Sequence, residues 1–110
     1  MTFAGRKRYA GGCVSEPLTF LLIYRPPRPD FWATLTAEER ANVEAHFYYL
    51  AELHERGIVQ FAGRSDDSTF GIAIVVAPSL EDAERILRES PAYSRGMYTG
   101  EVRPYRLAAK

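Results

Sequence analysis

One segment constrains this chain more than any other: Thr36 to Arg56, TAEERANVEAHFYYLAELHER, which carries its own start and stop signals. Thr36 followed three residues later by Glu39 is a capping box. In that motif hydroxyl and carboxylate each satisfy a backbone N–H that a first helical turn leaves without a partner. Gly57 then supplies the left-handed residue that commonly ends a helix. Between these marks Val43, His46, Phe47, Leu50, Leu53 and His54 recur at helical spacing on one face. Glu38, Arg40, Glu44, Tyr48, Glu52 and Glu55 lie mostly outside it. His46 therefore belongs to the stripe that faces a core, among apolar neighbours.

The segments around this helix are too short to be helices of the same kind. Leu18–Tyr24 (LTFLLIY) is strand length and apolar on both faces, with Leu18, Phe20, Leu22 and Tyr24 on one and Leu21 and Ile23 on the other. Pro26, Pro27 and Pro29 make the next stretch, Arg25 to Trp32, a stiff connector, because proline fixes φ and removes a donor. Its aromatics are expected to pack back on the domain, or to form a lid over a pocket with its arginines clamping an anion. After the helix, Ile58–Gly63 reads as a second strand, residues 64–68 as a polar turn, and Phe70–Ala77 as a third strand. On that third strand Gly71, Ala73, Val75 and Ala77 share a face of small side chains that lets something approach closely.

Ser79 can cap a second helix, with Asp82 favourable to its dipole and Leu80, Ala83, Ile86 and Leu87 as its buried stripe. That helix must stop near Glu89, because Pro91 disfavours helical geometry at Ser90. Ser90–Gly96 is a tight loop or a single helical turn. Met97–Leu107 is the last strand, and Pro104 puts it at an edge or past the paired region. The order strand, helix, strand, strand, helix, strand predicts an α+β, ferredoxin-like βαββαβ fold, a four-stranded antiparallel sheet with both helices on one face.

Two helices cover one face of such a sheet, yet the first and third strands are apolar on both. Leaving four or five large side chains wet would forgo about 1.5–3 kcal/mol apiece, a total that rivals the roughly 5–15 kcal/mol stability of a whole domain. The open face is therefore expected to meet a second copy of the chain, sheet to sheet, in a homodimer.

At 110 residues there is one domain, residues 17–110, preceded by an arm over residues 1–16. Fourteen basic and fourteen acidic residues cancel, which leaves no global footprint for nucleic acid. No apolar run reaches bilayer-spanning length, so no membrane is expected as a partner. Arg6, Lys7 and Arg8 ahead of Ala10–Cys13 resemble a lipoprotein leader but lack the apolar stretch one requires. A single cysteine, Cys13, excludes an intramolecular disulfide and fits a reducing cytoplasm.

With its elements placed, the sequence resembles the YciI-like (YCII-related) family of small bacterial proteins. Four stretches carry the likeness: the first strand running into Tyr24-Arg25-Pro26-Pro27-Arg28-Pro29; His46 set eight residues before His54 in HFYYLAELHERG; Phe61-Ala62-Gly63 with Thr69-Phe70-Gly71-Ile72; and Ser90–Met97 leading to Arg103-Pro104-Tyr105. The resemblance implies a dimeric α+β barrel. It also implies a cleft with a histidine–aspartate dyad, in which His46 matches the histidine. The aspartate position is Ser90 here, and serine brings no negative charge to support an imidazolium.

Two readings of function follow. In one, the protein is a small cofactor-independent enzyme acting on a small organic substrate. His46 is general acid/base, Ser90 or Tyr98 orients it, Arg25 or Arg64 holds an anionic group, and Tyr24 lines the cleft. In the other, the same cleft binds a small molecule without turnover, which Ser90 in place of aspartate favours. No metal is expected, since His46 and His54 stand two turns apart and no ligand cluster accompanies them. His54, near the helix end, reads as structural.

Overall fold

The computed structural model describes residues 18–109. The arm expected over residues 1–16, with Cys13 and the basic triplet, lies outside the described residues. Strand β1 spans Leu18–Arg25, helix α1 Ala37–Glu55, β2 Val59–Arg64, β3 Gly71–Ala77, α2 Leu80–Glu89, the short α3 Pro91–Ser94, and β4 Thr99–Pro104. The four strands form one antiparallel sheet in the order β2-β3-β1-β4, the ferredoxin-like arrangement expected.

Local chemistry sets the ends of these elements. Thr36 Oγ1 accepts from the Glu39 backbone N–H at 3.0 Å and the Glu39 carboxylate accepts from the Thr36 N–H at 2.9 Å, so the capping box closes in both directions. Gly57 adopts φ +79° after the helix, a region a side chain would strain. Ile58 donates its N–H to Leu53 O at 2.9 Å as part of this helix end, which is why β2 begins one residue later than the apolar pattern implies. The last strand is shorter than expected at both ends. The N–H groups of Met97 and Tyr98 both turn back to Ala92 O, at 3.0 and 2.9 Å, and so belong to the loop after α3.

Register decides which face each side chain serves. Phe20 lies opposite Val75, Leu22 opposite Ala73 and Tyr24 opposite Gly71. Side chains paired across strands share a face, and this one packs against Leu53 of α1 and Ala83 and Leu87 of α2. The small residues of β3 thus serve the close approach of the helices. A second cluster, Phe31, Val43, Ala92 and Met97, ties the connector and α3 to the start of α1. The opposite face carries Leu21, Ile23, Ile72 and Val76, half-buried, and Phe61, 57% exposed. Among the described residues no helix is long and apolar enough to cross a membrane.

Candidate functional site

The connector between β1 and α1 is fastened before it shapes anything else. Arg28 sends Nη1 and Nη2 to the two Glu39 carboxylate oxygens, each at 2.8 Å, and Nη2 also reaches Thr34 O. Its guanidinium lies 5.2 Å from the centre of the Phe31 ring, and Phe31 is fully buried. The arginine and the helix-start N–H groups together hold the Glu39 carboxyl down at about 2. The short turn Phe31–Ala33 is thereby fixed against α1, and Trp32 is set as a wall.

Behind that wall is a pocket of about 260 Å³ at the end of the sheet where β1 leaves and β3 begins. Tyr24, Ala62, Arg64 and Gly71 line it from the strands, His46, Phe47 and Leu50 from α1, and Trp32 and Tyr98 from the connecting loops. The aromatic groups contact one another. Tyr24 meets His46 edge to face with ring centres 4.7 Å apart, and Tyr98 meets His46 at 5.7 Å. Trp32 and Phe47 stand nearly parallel, 15° apart in plane.

His46 is 4% exposed. Its Nδ1 is enclosed and has no hydrogen-bond partner among the described residues, and the enclosed hydroxyl of Tyr24 has none among them either. Burial holds the imidazole well below its ordinary value, at about 4, so the ring is neutral at physiological pH. Burial pushes the Tyr24 phenol up to about 12, and the neighbouring Ser90 hydroxyl pulls slightly the other way although it makes no well-formed bond to it. The Tyr98 phenol is also raised by burial, against a smaller opposing pull from Arg64.

Arg64, at the end of β2, places its Cζ 4.0 Å from the centre of the Trp32 ring. Among the described residues it donates no hydrogen bond and makes no ion pair. The turn that follows it is internally braced. Asp67 accepts from the Ser65 and Thr69 hydroxyls, both at 2.7 Å, which keeps its carboxyl below the usual range. Ser68, inside that turn, has φ +61°.

The structure gathers Tyr24, His46, Arg64 and Tyr98 of the sequence candidates around one pocket and leaves Ser90 and Arg25 outside its lining. Ser90 is fully buried between α2 and α3, and its hydroxyl donates to Leu87 O at 2.8 Å rather than to His46. Arg25 follows Tyr24 on a strand and so projects to the other face of the sheet, where it pairs with Glu101 at 2.9 Å. His54 places Nδ1 2.9 Å from Val59 O, a structural contact. The sequence reading of the connector's aromatics as a lid over a pocket agrees with Trp32 in the lining, and Phe47 was missed as a pocket wall. The signal available for Phe47 was its place beside His46 on the buried stripe of α1. Among the described residues no group of three or more metal-binding side chains comes together.

A family model described as YCII-related domain matches residues 19–106. Among solved structures, the chain is similar to the 5-chloro-2-hydroxyhydroquinone dehydrochlorinase of Burkholderia phenoliruptrix AC1100, in complex with 2,5-dihydroxybenzoquinone, at 24% identity and a TM-score of 0.58. That alignment covers 79% of this chain and 93% of the other. SnoaB, a cofactor-independent oxygenase from Streptomyces nogalater, aligns at 16% identity and a TM-score of 0.46 over 86% of this chain and 96% of its own. A search of curated proteins found no match.

Proposed function

The chain belongs to the YCII-related domain family, and from that premise we propose that it is a small cofactor-independent enzyme that moves a proton on a small organic substrate with His46 as general acid/base. The observation that carries this reading is a neutral imidazole on the wall of an aromatic pocket, free of any structural hydrogen bond at Nδ1. A core histidine kept for packing normally finds a partner. The fold neighbour's complex with a hydroxylated quinone supports a small organic molecule as the occupant.

A specific observation favours a second reading, binding without turnover. An imidazole held at about 4 is a weak base at neutral pH, and among the described residues no carboxylate stands beside it to support the imidazolium. Ser90, where the YciI-like pattern has aspartate, turns its hydroxyl to Leu87 O. The two readings separate on Ser90→Asp. Ser90 is the N-cap residue of α3, and its side chain makes no cap hydrogen bond there. If the cleft is built for proton transfer, the new carboxylate engages the His46 side and raises the imidazole by about one to three pH units in an NMR titration. An imidazole indifferent to residue 90 removes the catalytic reading and leaves binding.

The apolar open face of the sheet supports a homodimer packed through it, with Leu21, Ile23, Ile72, Val76 and Phe61 as the proposed contact.

A further inference from the structure

We propose that the pocket selects a flat conjugated ring carrying one negatively charged oxygen group, a ring carboxylate, phenolate or enolate, with Arg64 as the counter-ion. This deepens the reading above and rests on the same pocket, but not on His46 taking a proton. Three observations converge on it. First, among the described residues Arg64 is the one lining residue charged at neutral pH, since His46 and the phenols are neutral there and none of those residues lining the pocket is aspartate or glutamate. A guanidinium cannot lose its charge, so this lining residue stays positive whatever the pH.

Second, the Arg64 guanidinium lies over Trp32 with its N–H fork unused by any acceptor among the described residues. Stacking on an indole holds the plane of that fork and leaves its edge for a two-oxygen anion, the geometry a carboxylate matches. The braced turn after β2 keeps Arg64 in place before any ligand arrives. Third, the walls are aromatic from several elements: Tyr24, Trp32, Phe47 and Tyr98 offer faces and edges to a ring. Ring pairs gain beyond area burial, whereas a saturated ring of the same size does not. A volume of about 260 Å³ takes one substituted ring.

The test uses the intact protein and three probes: benzoate, its neutral analogue benzamide, and the non-planar anion cyclohexanecarboxylate. Trp32 is the chain's single tryptophan, so its indole N–H is a unique NMR resonance, and the His46 ring is a second reporter. Benzoate is expected to shift both resonances saturably and to bind roughly tenfold or more tighter than either other probe. Arg64→Met keeps an alkyl stem beside the Trp32 ring and is expected to abolish the preference for benzoate over benzamide.

Equal binding of benzoate and benzamide overturns the charge assignment, and equal binding of benzoate and cyclohexanecarboxylate overturns the planar-ring assignment. An unchanged preference in Arg64→Met overturns the role of Arg64. No saturable shift with any probe at tens of millimolar overturns the inference as a whole. None of these outcomes decides whether His46 moves a proton, which the Ser90→Asp titration reads separately.

Discussion

Acidification tests the state of His46 directly. The imidazole is held at about 4 in the folded protein by burial, against 6.5 when free. The sign follows from proton binding. Between those two values the unfolded chain takes up a proton at residue 46 and the folded protein does not, so stability falls as pH falls. Above 6.5 both states are neutral and the effect vanishes; below about 4 both are charged and the loss levels off. The slope inside the window approaches 1.4 kcal/mol per pH unit, and the whole window is worth about 3 kcal/mol. That is a large share of the ~5–15 kcal/mol available to a domain of this kind. At 4% exposure the ring has little solvent to screen it, which keeps the figure near its full size.

The assay is urea unfolding at fixed protein concentration from pH 7 to pH 4.5, for the wild type and His46→Gln. Every other titratable group is common to both proteins and cancels in the difference of slopes. The wild type is expected to lose about 2 kcal/mol more than the variant between pH 7 and pH 5. Parallel pH profiles would refute the reasoning, because they would mean that residue 46 is not a neutral, desolvated imidazole. The variant's own cost of substitution does not enter, since only the slopes are compared.

Three further outcomes are expected. Glu39 works in the same sense over a lower window: its carboxyl is lowered from 4.5 to about 2, so its contribution is complete above 4.5 and lost as pH falls toward 2. Trp32 emission should report that release in the wild type, and Glu39→Gln should move the change to neutral pH. Gly100→Ala puts a methyl group 2.8 Å from Leu87 Cδ1 and 3.2 Å from Ile23 O, and should cost about 1–3 kcal/mol in thermal or urea unfolding. Ile23→Lys, on the open sheet face, should convert the proposed dimer to monomer in sedimentation without loss of helical circular dichroism.

How far the sequence reaches can be told from particular residues. The fold was legible because its punctuation is local: Thr36 with Glu39, Gly57, Ser79 and Pro91 act within one turn of chain, and the structure uses each as expected. His46 was legible for the same reason, since helical spacing puts it in the buried stripe. Arg25 shows a rule that was available and not applied. Neighbours on a strand face opposite ways, so Tyr24 and Arg25 cannot both serve one pocket. The direction of the Ser90 hydroxyl and the meeting of Arg64 with Trp32 were not legible. The first turns back to Leu87 O, three residues earlier, one of several partners a serine there could take, and the second joins segments 32 residues apart that share no local pattern.

The pair of oxygens on Glu39 has a consequence for motion. They close the first turn of α1 through Thr36 and hold the connector through Arg28 at the same time. Lifting the Trp32 wall therefore means fraying the helix start. The two events form a single opening unit in the sense of native-state hydrogen exchange. Amides of the first turn of α1 should exchange at the rate set by breathing of the pocket mouth, and a ligand that closes the mouth should slow them although it touches none of them. Access to the pocket is then governed by the stability of one helical turn, not by a hinge.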